Sequence, residues 1–209
     1  MQPHSRRLVL PVLLAAALAP AMAAAQSTAA PAPPVRLRGT IENVTADQLV
    51  LKDRSGQRVT LAVPADVTVT EMYPIGPDAV KSGSFVGVGA MPQPDGSQKA
   101  IAVLVFPDAM RGTGEGHRPF DFLPQSTMTN ATVAGEATAS SDGQRMKLTY
   151  PGGEKTIVVP PDAPIVSLRP GNRELLVRGA GVSVSAQVVG DQPTATRITA
   201  GRNGFSPPY

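Results

Sequence analysis

Short runs of alternating apolar and polar residues, separated by turns, cover the chain from about residue 35 onward. Such alternation places every second side chain on one face and predicts half-buried β-strands. The turn DRSGQ predicts a hairpin, because Ser-Gly supplies the backbone freedom that a tight turn needs. The segment IGPDAVKSG predicts a single helical turn between strands. The first alternating run is formed by Val35, Leu37, Gly39 and Ile41.

An internal repeat divides the chain into two copies. The segment VPADVTVTEMYPIGPDAVKSGSFVGVGA at residues 63–90 aligns without a gap with VPPDAPIVSLRPGNRELLVRGAGVSVSA at residues 159–186. The offset, from Val63 to Val159, is 96 residues, which is too long for a solenoid unit and suits a small domain. The same offset places Gly39 on Gly135. The recurring residues are Val63, Pro64, Asp66, Pro74, Gly83, Val86, Val88 and Ala90 of the first copy.

Each copy offers three meandering strands, a connecting segment and two further strands, the order of a five-stranded barrel of the OB type. The predicted fold is all-β, with two tandem five-stranded OB-like Greek-key barrels after a cleaved signal peptide. The barrel repeats are predicted at residues 35–107 and 131–200, with an inter-repeat loop at 108–130 and a flexible tail at 201–209. Because domains this small bury little surface, we expect the barrels to pack together or to share the inter-repeat segment.

Residues 1–25 have the pattern of a secretory signal peptide. Arg6 and Arg7 precede an apolar stretch, and three alanines at 23–25 fit a cleavage site. The Pro- and Ala-rich residues 26–34 predict a flexible or extended spacer. These features predict a protein of the periplasm, or a secreted one, with no membrane span in the mature chain. The two arginines fit both the general secretory route and the twin-arginine route, and both stay open.

Composition narrows the chemistry available to the mature chain. It has no cysteine, which excludes disulfides and thiolate metal ligands. The whole chain carries 19 Lys and Arg against 16 Asp and Glu, and loss of Arg6 and Arg7 with the signal brings the charge close to neutral. No segment concentrates basic residues, so we expect no nucleic-acid partner. Aromatic residues make up 4% of the chain, which leaves few platforms for stacking bases or sugars.

The layout RGTIENVTADQLVLKDRSGQRVTL, followed by VKSGSFVGVGAMPQPDGSQKAIAVLVF, resembles the bacterial exported DUF5666 family. The resemblance covers the first copy well and the second copy more weakly. It implies OB-like β-barrel repeats and export. It transfers no catalytic residue, because the function of that family is uncharacterised.

The inter-repeat loop is the main candidate for chemistry, because nothing equivalent follows the second copy. Three glycines at alternate positions in RGTGEGHR suggest a backbone cradle for an anion, with the flanking arginines supplying charge. The alternative is an ordered loop whose aromatic residues join the two barrels while its charges stay in solvent. The candidate ligand or partner contacts are Arg111, Glu115, His117, Arg118, Phe120, Asp121 and Phe122.

Metal binding and catalysis have weaker support in the sequence. His117 is the one histidine after the signal, whereas transition-metal sites recruit several His or Cys ligands. No Gly-x-Ser-x-Gly elbow and no cysteine nucleophile occur. We therefore expect a non-catalytic binding or scaffolding protein with no cofactor or metal, whose partner is an envelope protein, a small anion or a polysaccharide. The alternatives are a metal-binding accessory protein of an envelope transporter and, third, a hydrolase-type enzyme.

Overall fold

The computed structural model describes residues 34–209, so the predicted signal peptide and all but the last residue of the predicted spacer lie outside the described residues. Within this range, no helix has the length and hydrophobicity needed to cross a membrane. Single 3-10 turns occur at Pro77–Ala79, Asp108–Met110 and Arg173–Leu175. The strands are β1 Val35–Val44, β2 Gln48–Asp53, β3 Arg58–Ala62, β4 Thr68–Pro74, β5 Phe85–Pro92, β6 Gln98–Val105, β7 Gly116–Pro119, β8 Thr127–Ser140, β9 Gly143–Tyr150, β10 Gly153–Val159, β11 Ile165–Pro170, β12 Gly181–Val189 and β13 Gln192–Ala200.

The first barrel contains β1, β2, β3, β12 and β13. The first three strands form an antiparallel meander, β12 pairs antiparallel with β1, and β13 pairs with β12. A short parallel contact between Thr194 of β13 and Ala62 of β3 closes the ring. The spatial order 12-1-2-3 is that of a Greek key, in which the fourth strand returns beside the first. The prediction of an all-β fold with a five-stranded barrel is therefore confirmed.

The second ring contains β8, β9 and β10 together with β5 and β6, and a parallel contact between Ile157 and Gln98 closes it. Each ring thus combines three strands of one copy with the last hairpin of the other copy. This corrects the expectation that residues 35–107 and 131–200 each close a barrel of their own. The two hairpins carry equivalent apolar patterns, so either pairing satisfies the alternation in the sequence. The described residues form one compact unit because of this exchange.

Strands β4 and β11 pair with each other and join the two rings into one sheet. Met72 lies directly opposite Leu168, which is its own equivalent at the offset of the repeat. An approximate two-fold axis therefore passes between these two residues. A β-bulge between Gly89 and Ala90 recurs between Ser185 and Ala186 at the same offset. The repeat in the sequence is thus a repeat of structure.

The beginning of each copy departs from that offset. Gly39 pairs with Val182, and the equivalent place in the second ring, opposite Val86, is held by Ala131. The expected match of Gly39 with Gly135 is therefore wrong. Both strands become irregular just beyond this point, β1 between Ile41 and Asn43 and β8 between Ala134 and Thr138, and Gly135 lies within the irregular part of β8 with a φ of 75°.

Each ring has its own apolar core, and a smaller cluster lies on the strands that join them. The inward-facing residues of the first core include Ile41, Leu49, Leu51, Leu61, Val184 and Ile198. Those of the second core include Val86, Val88, Val103, Leu148 and Ile157. The joining cluster consists of Met72, Leu104 and Val166, with Phe106, Leu168 and Phe205 packed against it.

Residues 201–209 lie against the barrels, which corrects the prediction of a flexible tail. Phe205 packs on the joining cluster, and the Tyr209 hydroxyl donates a hydrogen bond of 3.3 Å to the Gly87 carbonyl. Ser206 lies so close to Gly181 that a Cβ at that glycine would overlap its hydroxyl. The tail docks because glycine leaves room for it and because its aromatic side chains find apolar surface.

Candidate functional site

A cavity of about 500 Å³ lies where the two rings meet. Its lining comes from strands of both rings, from β4 and β11, from the inter-repeat segment and from Tyr209. This volume is within the range of sites for small molecules. The exchange of hairpins between the two copies places this cavity between the rings, because residues from both copies line it.

Two rows of polar side chains cross β1, β12, β13 and β4 and form one face of the cavity, which we call the basic face. Alternation places them opposite the core, since strand neighbours such as Val184 and Ile198 point into the barrel. The first row consists of Arg36, Ser185, Arg197 and Thr68. The second row consists of Arg38, Ser183, Thr199 and Thr70. All eight residues line the cavity.

The charge of the cavity is positive. Among the residues that the structure describes, Arg36, Arg38, Arg118 and Arg197 line it, and no carboxylate does. Of these, Arg38 is paired with a carboxylate, whereas the other three form no ion pair within residues 34–209. Burial, and then the charge of Arg36, lower the pKa of Arg118. A bound anion would relieve this repulsion.

Arg38 connects the basic face to the inter-repeat segment. Its side chain is 10% exposed and donates hydrogen bonds of 2.8 and 3.4 Å to the two carboxylate oxygens of Asp121. Its guanidinium also lies 5.4 Å from the ring centre of Phe120 and 5.8 Å from that of Phe122. Burial opposes ionisation of Asp121, but the hydrogen bond and charge of Arg38 outweigh it and hold the pKa of Asp121 below its usual value. Arg38 is therefore held in place by its neighbours.

Two buried polar atoms at the cavity lack a hydrogen-bond partner among the described residues, the Arg38 Nε and the Asn130 Oδ1. The other side of the Asn130 amide is occupied, since Nδ2 donates to the Thr113 carbonyl over 2.8 Å. Asn130 is 5% exposed. Buried polar atoms are almost always paired. This donor and this acceptor are therefore unpaired polar atoms in the wall of the cavity.

The inter-repeat segment is ordered and forms part of the cavity wall. Its strand β7 pairs with β8 from Gly116 to Pro119. Behind it, the buried Ser126 hydroxyl accepts the Leu123 amide hydrogen and lies 2.7 and 2.9 Å from the Leu123 and Phe120 carbonyl oxygens, the two acceptors for its proton. These bonds fix the turn that carries Phe120 and Asp121 towards Arg38. Phe120 lies between the rings, close to Arg38 of β1 and to Gly89 of β5, and Phe122 also lies near Arg38. The charges of the segment do not all stay in solvent, because Asp121 pairs with Arg38.

The three alternate glycines turn the chain, and two of the amides between them are already bonded. Gly112, Gly114 and Gly116 have φ values of 83°, 54° and 125°, a region that favours glycine. The amides of Thr113 and Glu115 are already bonded within the turns. The Gly114 carbonyl accepts a hydrogen bond of 2.7 Å from Arg118. The glycines thus position Arg118, and its side chain supplies the charge.

Of the seven contact residues predicted from the sequence, four line the cavity or support its wall and three lie outside it. Arg118 and Phe120 line the cavity, while Asp121 and Phe122 support it through Arg38. Arg111 lies outside the lining, where it donates to the Gly83 carbonyl over 3.0 Å.

Glu115 and His117 also lie outside the cavity lining. Glu115 is exposed. The His117 Nδ1 lies 2.8 Å from the Thr129 hydroxyl, and the ring stacks on Tyr150 at 6.5 Å. Burial, and then the charge of Lys155, lower the pKa of His117. Across residues 34–209, no group of three or more His, Cys, Asp or Glu side chains is arranged to hold a metal ion.

Arg36, Arg38 and Arg197 were not predicted from the sequence. A signal was present in VRLRG, where the polar face of the first strand carries arginine at both alternate positions. Alternation alone does not distinguish these arginines from the solvent-facing residues of an ordinary half-buried strand. The meeting of these residues with Arg197 depends on the strand exchange. Basic residues are therefore concentrated in space although no segment of the sequence concentrates them.

Comparison of the chain with family models, with curated proteins and with solved structures finds no match. The resemblance to the DUF5666 family stays a prediction. The geometry and charge of the cavity are therefore the basis for a functional proposal.

Proposed function

We propose that this chain is an exported, non-catalytic binding protein that holds a small anion in the cavity between its two rings. The signal-peptide pattern of residues 1–25 supports both export and a location in the periplasm or outside the cell. The observation that supports binding is the set of Arg36, Arg118 and Arg197, which line one cavity without a lining carboxylate.

The chemistry of the lining suits an anion. A guanidinium offers several N–H donors in a fixed plane and bonds carboxylate, sulfate or phosphate oxygens in pairs. Between Arg36 and Arg197, the hydroxyl of Ser185 adds a donor on the intervening strand. The partly enclosed cavity also strengthens charge interactions relative to open water. Of the expected partners, a small anion fits better than a polysaccharide or an envelope protein.

A binding role, as opposed to a catalytic one, also agrees with the types of side chain that line the cavity. Its polar side chains are those of arginine, serine, threonine, asparagine and tyrosine. Aspartate, glutamate and histidine are the usual groups for proton transfer, and none of the lining residues is of these types.

The proposal is tested by titrating the ¹⁵N-labelled mature protein with inorganic phosphate at constant ionic strength. We expect saturable shifts of backbone amide signals on β12 and β13, centred on Ser183, Ser185 and Thr199. Replacing Arg36 or Arg197 by Gln should weaken binding by roughly tenfold, because each removes charge-assisted hydrogen bonds.

The matched control is Arg178→Gln, which removes one exposed arginine outside the cavity lining and should leave phosphate affinity unchanged. Equal losses in all three variants would mean that net charge alone attracts phosphate. The absence of saturable shifts in the unaltered protein would reject the binding proposal.

A further inference from the structure

The cavity has a second face that is the pseudo-symmetric counterpart of the basic face. Strand pairing places the row Arg38, Ser183, Thr199 and Thr70 in correspondence with the row Asn130, Gly87, Leu104 and Val166. The row that contains Arg36, Ser185 and Arg197 corresponds to one that contains Met128, Gly89 and Ala102. The two rings have therefore diverged at matching positions. The first ring, with β4, supplies arginines and hydroxyls, and the second ring, with β11, supplies mainly aliphatic residues and glycine.

Aromatic side chains cover the glycines of this second face. A Cβ at Gly87 would lie 2.9 Å from the Phe106 ring, and a Cβ at Gly89 would lie 3.3 Å from the rings of Phe120 and Tyr209. Glycine therefore allows the rings to pack directly on the backbone of β5. The part of the opposite wall that these rings cover is apolar as a result.

The apolar lining continues along the strands that join the two rings. Met72 and Leu168 face each other at the two-fold axis, and both line the cavity together with Leu104. Leu168, Phe106 and Met110 are only partly buried, so they present apolar surface to the cavity. The sheet runs from β1 through β12, β13, β4, β11 and β6 to β5 and β8. Arg36 and Arg197 thus lie towards the β1 end of this path, Arg118 of β7 lies beside its β8 end, and apolar surface lies in its middle.

We propose that the ligand of this cavity is an amphipathic anion. Its anionic head group contacts Arg36, Arg118 and Arg197, and its apolar chain or ring lies on Met72, Leu104 and Leu168. This inference rests on the proposed function and specifies its ligand class. The head group is a phosphate, a sulfate or a carboxylate, which share the oxygen geometry that guanidinium groups recognise.

The shape of the lining favours this class over a bare inorganic anion. An inorganic anion would satisfy the arginines and leave the apolar part of the cavity in water. Small-molecule sites are mostly apolar, with a few polar groups that fix orientation. Each methylene group that moves from water onto apolar surface adds to affinity. A chain attached to the anion therefore strengthens binding without weakening the contacts of its head group.

The inference is tested by calorimetric titration of the mature protein with methyl phosphate, octyl phosphate, octanoate and 1-octanol, each below its micelle concentration or solubility limit. We expect octyl phosphate to bind at least tenfold more tightly than methyl phosphate, and 1-octanol to bind much more weakly than octyl phosphate. The comparison of octanoate with octyl phosphate identifies the preferred head group, and tight binding of either supports the class.

Two variants test the apolar part and the charged part of the cavity separately. Met110→Ser, on an exposed 3-10 turn, should weaken octyl phosphate several-fold and leave methyl phosphate unchanged. Arg197→Gln should weaken both phosphates, and Arg178→Gln should weaken neither. Thermal unfolding of each variant shows whether it is folded before titration.

The possible failures are distinguishable. Equal affinity for methyl and octyl phosphate would overturn the amphipathic ligand and leave the anion-binding function standing. Equal affinity for octyl phosphate and 1-octanol would show that the arginines take no part, and would overturn both. Absence of binding by all four probes would likewise overturn both.

Discussion

Arg36 and Arg197 lie on either side of Ser185, each paired directly with it from a neighbouring strand. Neighbouring strands are about 4.8 Å apart, so the two arginine backbones are roughly 10 Å apart. One belongs to the first copy and the other to the second. If each copy closed its own barrel, Arg36 would lie beside Gly89, with Ala102 in the place of Arg197. The exchange of hairpins is therefore what assembles the basic face.

The close approach of β1 and β2 at Gly39 predicts a large cost for any side chain there. A Cβ at this position would overlap the carbonyl oxygen of Lys52, which is backbone and has little room to move. We expect Gly39→Ala to lower the free energy of unfolding by about 2–3 kcal/mol. Urea unfolding followed by circular dichroism measures this change.

Gly76→Ala is the matched control for that variant. Gly76 has an extended backbone, with φ of −77°, and a Cβ there would meet nothing within 4 Å. Its stability should be unchanged or higher by about 0.5 kcal/mol. A similar loss of stability in both variants would contradict the packing described for β1 and β2.

Glu71 predicts an acid-sensitive part of the stability. Its buried carboxylate accepts hydrogen bonds from Arg169 at 2.6 Å and from Arg202 at 3.3 Å, and these bonds, Arg169 first, lower its pKa to about 2. Because the folded pKa lies below the ordinary value, this stabilisation is present above about pH 4.5 and is lost as the pH falls towards 2. Thermal unfolding between pH 7 and 2 should show a smaller acid-induced drop in Glu71→Gln than in the unaltered protein.

Asp53→Asn is a comparison for the same experiment. Asp53 is a turn carboxylate whose pKa is lowered mainly by the Ser55 hydroxyl, with no arginine involved. The loss of stability on protonation of Asp53 comes from one local turn. The loss on protonation of Glu71 comes from the contacts of strand β4 with β11 and with the tail. An unchanged acid response in Glu71→Gln would show that the two ion pairs contribute nothing to folding.

The docked tail predicts protection from proteolysis. Arg202 offers a trypsin site within the tail, and Phe205 anchors the residues that follow it. Phe205→Ala removes that anchor, so we expect cleavage after Arg202 to become several-fold faster in limited digestion. Val188→Ala deletes an apolar side chain that is 68% exposed and should leave the rate unchanged. Equal rates in all three proteins would indicate that Phe205 does not hold the tail.

Alternation and turn chemistry were enough to predict the strands, the duplication and the barrel class. They were insufficient to predict which hairpin completes which ring, since β5–β6 and β12–β13 present equivalent apolar faces. Which hairpin completes which ring depends on the pairing of β4 with β11, where Met72 lies opposite Leu168, and on the segments that connect these two strands to the hairpins. These are relations between distant segments, and local pattern carries no information about them.

Only part of the candidate site was predicted, again because its residues come from distant segments of the chain. The inter-repeat segment drew attention because it is unique, and Arg118 and Phe120 do line the cavity. Arg36 and Arg38 were visible as the polar face of a strand, but solvent and a cavity produce the same alternation. The docking of the tail was not predicted, because a terminal segment rich in Gly and Pro has the composition of a flexible one.

The hairpin exchange is tested most directly by a disulfide between β1 and β12. The chain has no cysteine, so an introduced pair has no competing thiol. Val35 and Ala186 are direct partners, and antiparallel partners have Cα separations that a disulfide accepts. The matched alternative pairs Val35 with Ala90, the equivalent of Ala186 within the first copy.

We expect Val35→Cys/Ala186→Cys to oxidise rapidly in the folded protein, with the cross-link identified by mass spectrometry of unreduced tryptic peptides. Val35→Cys/Ala90→Cys should remain reduced until the protein is unfolded. Rapid cross-linking of Val35 with Ala90, and none with Ala186, would show that each copy closes its own barrel and would contradict the account.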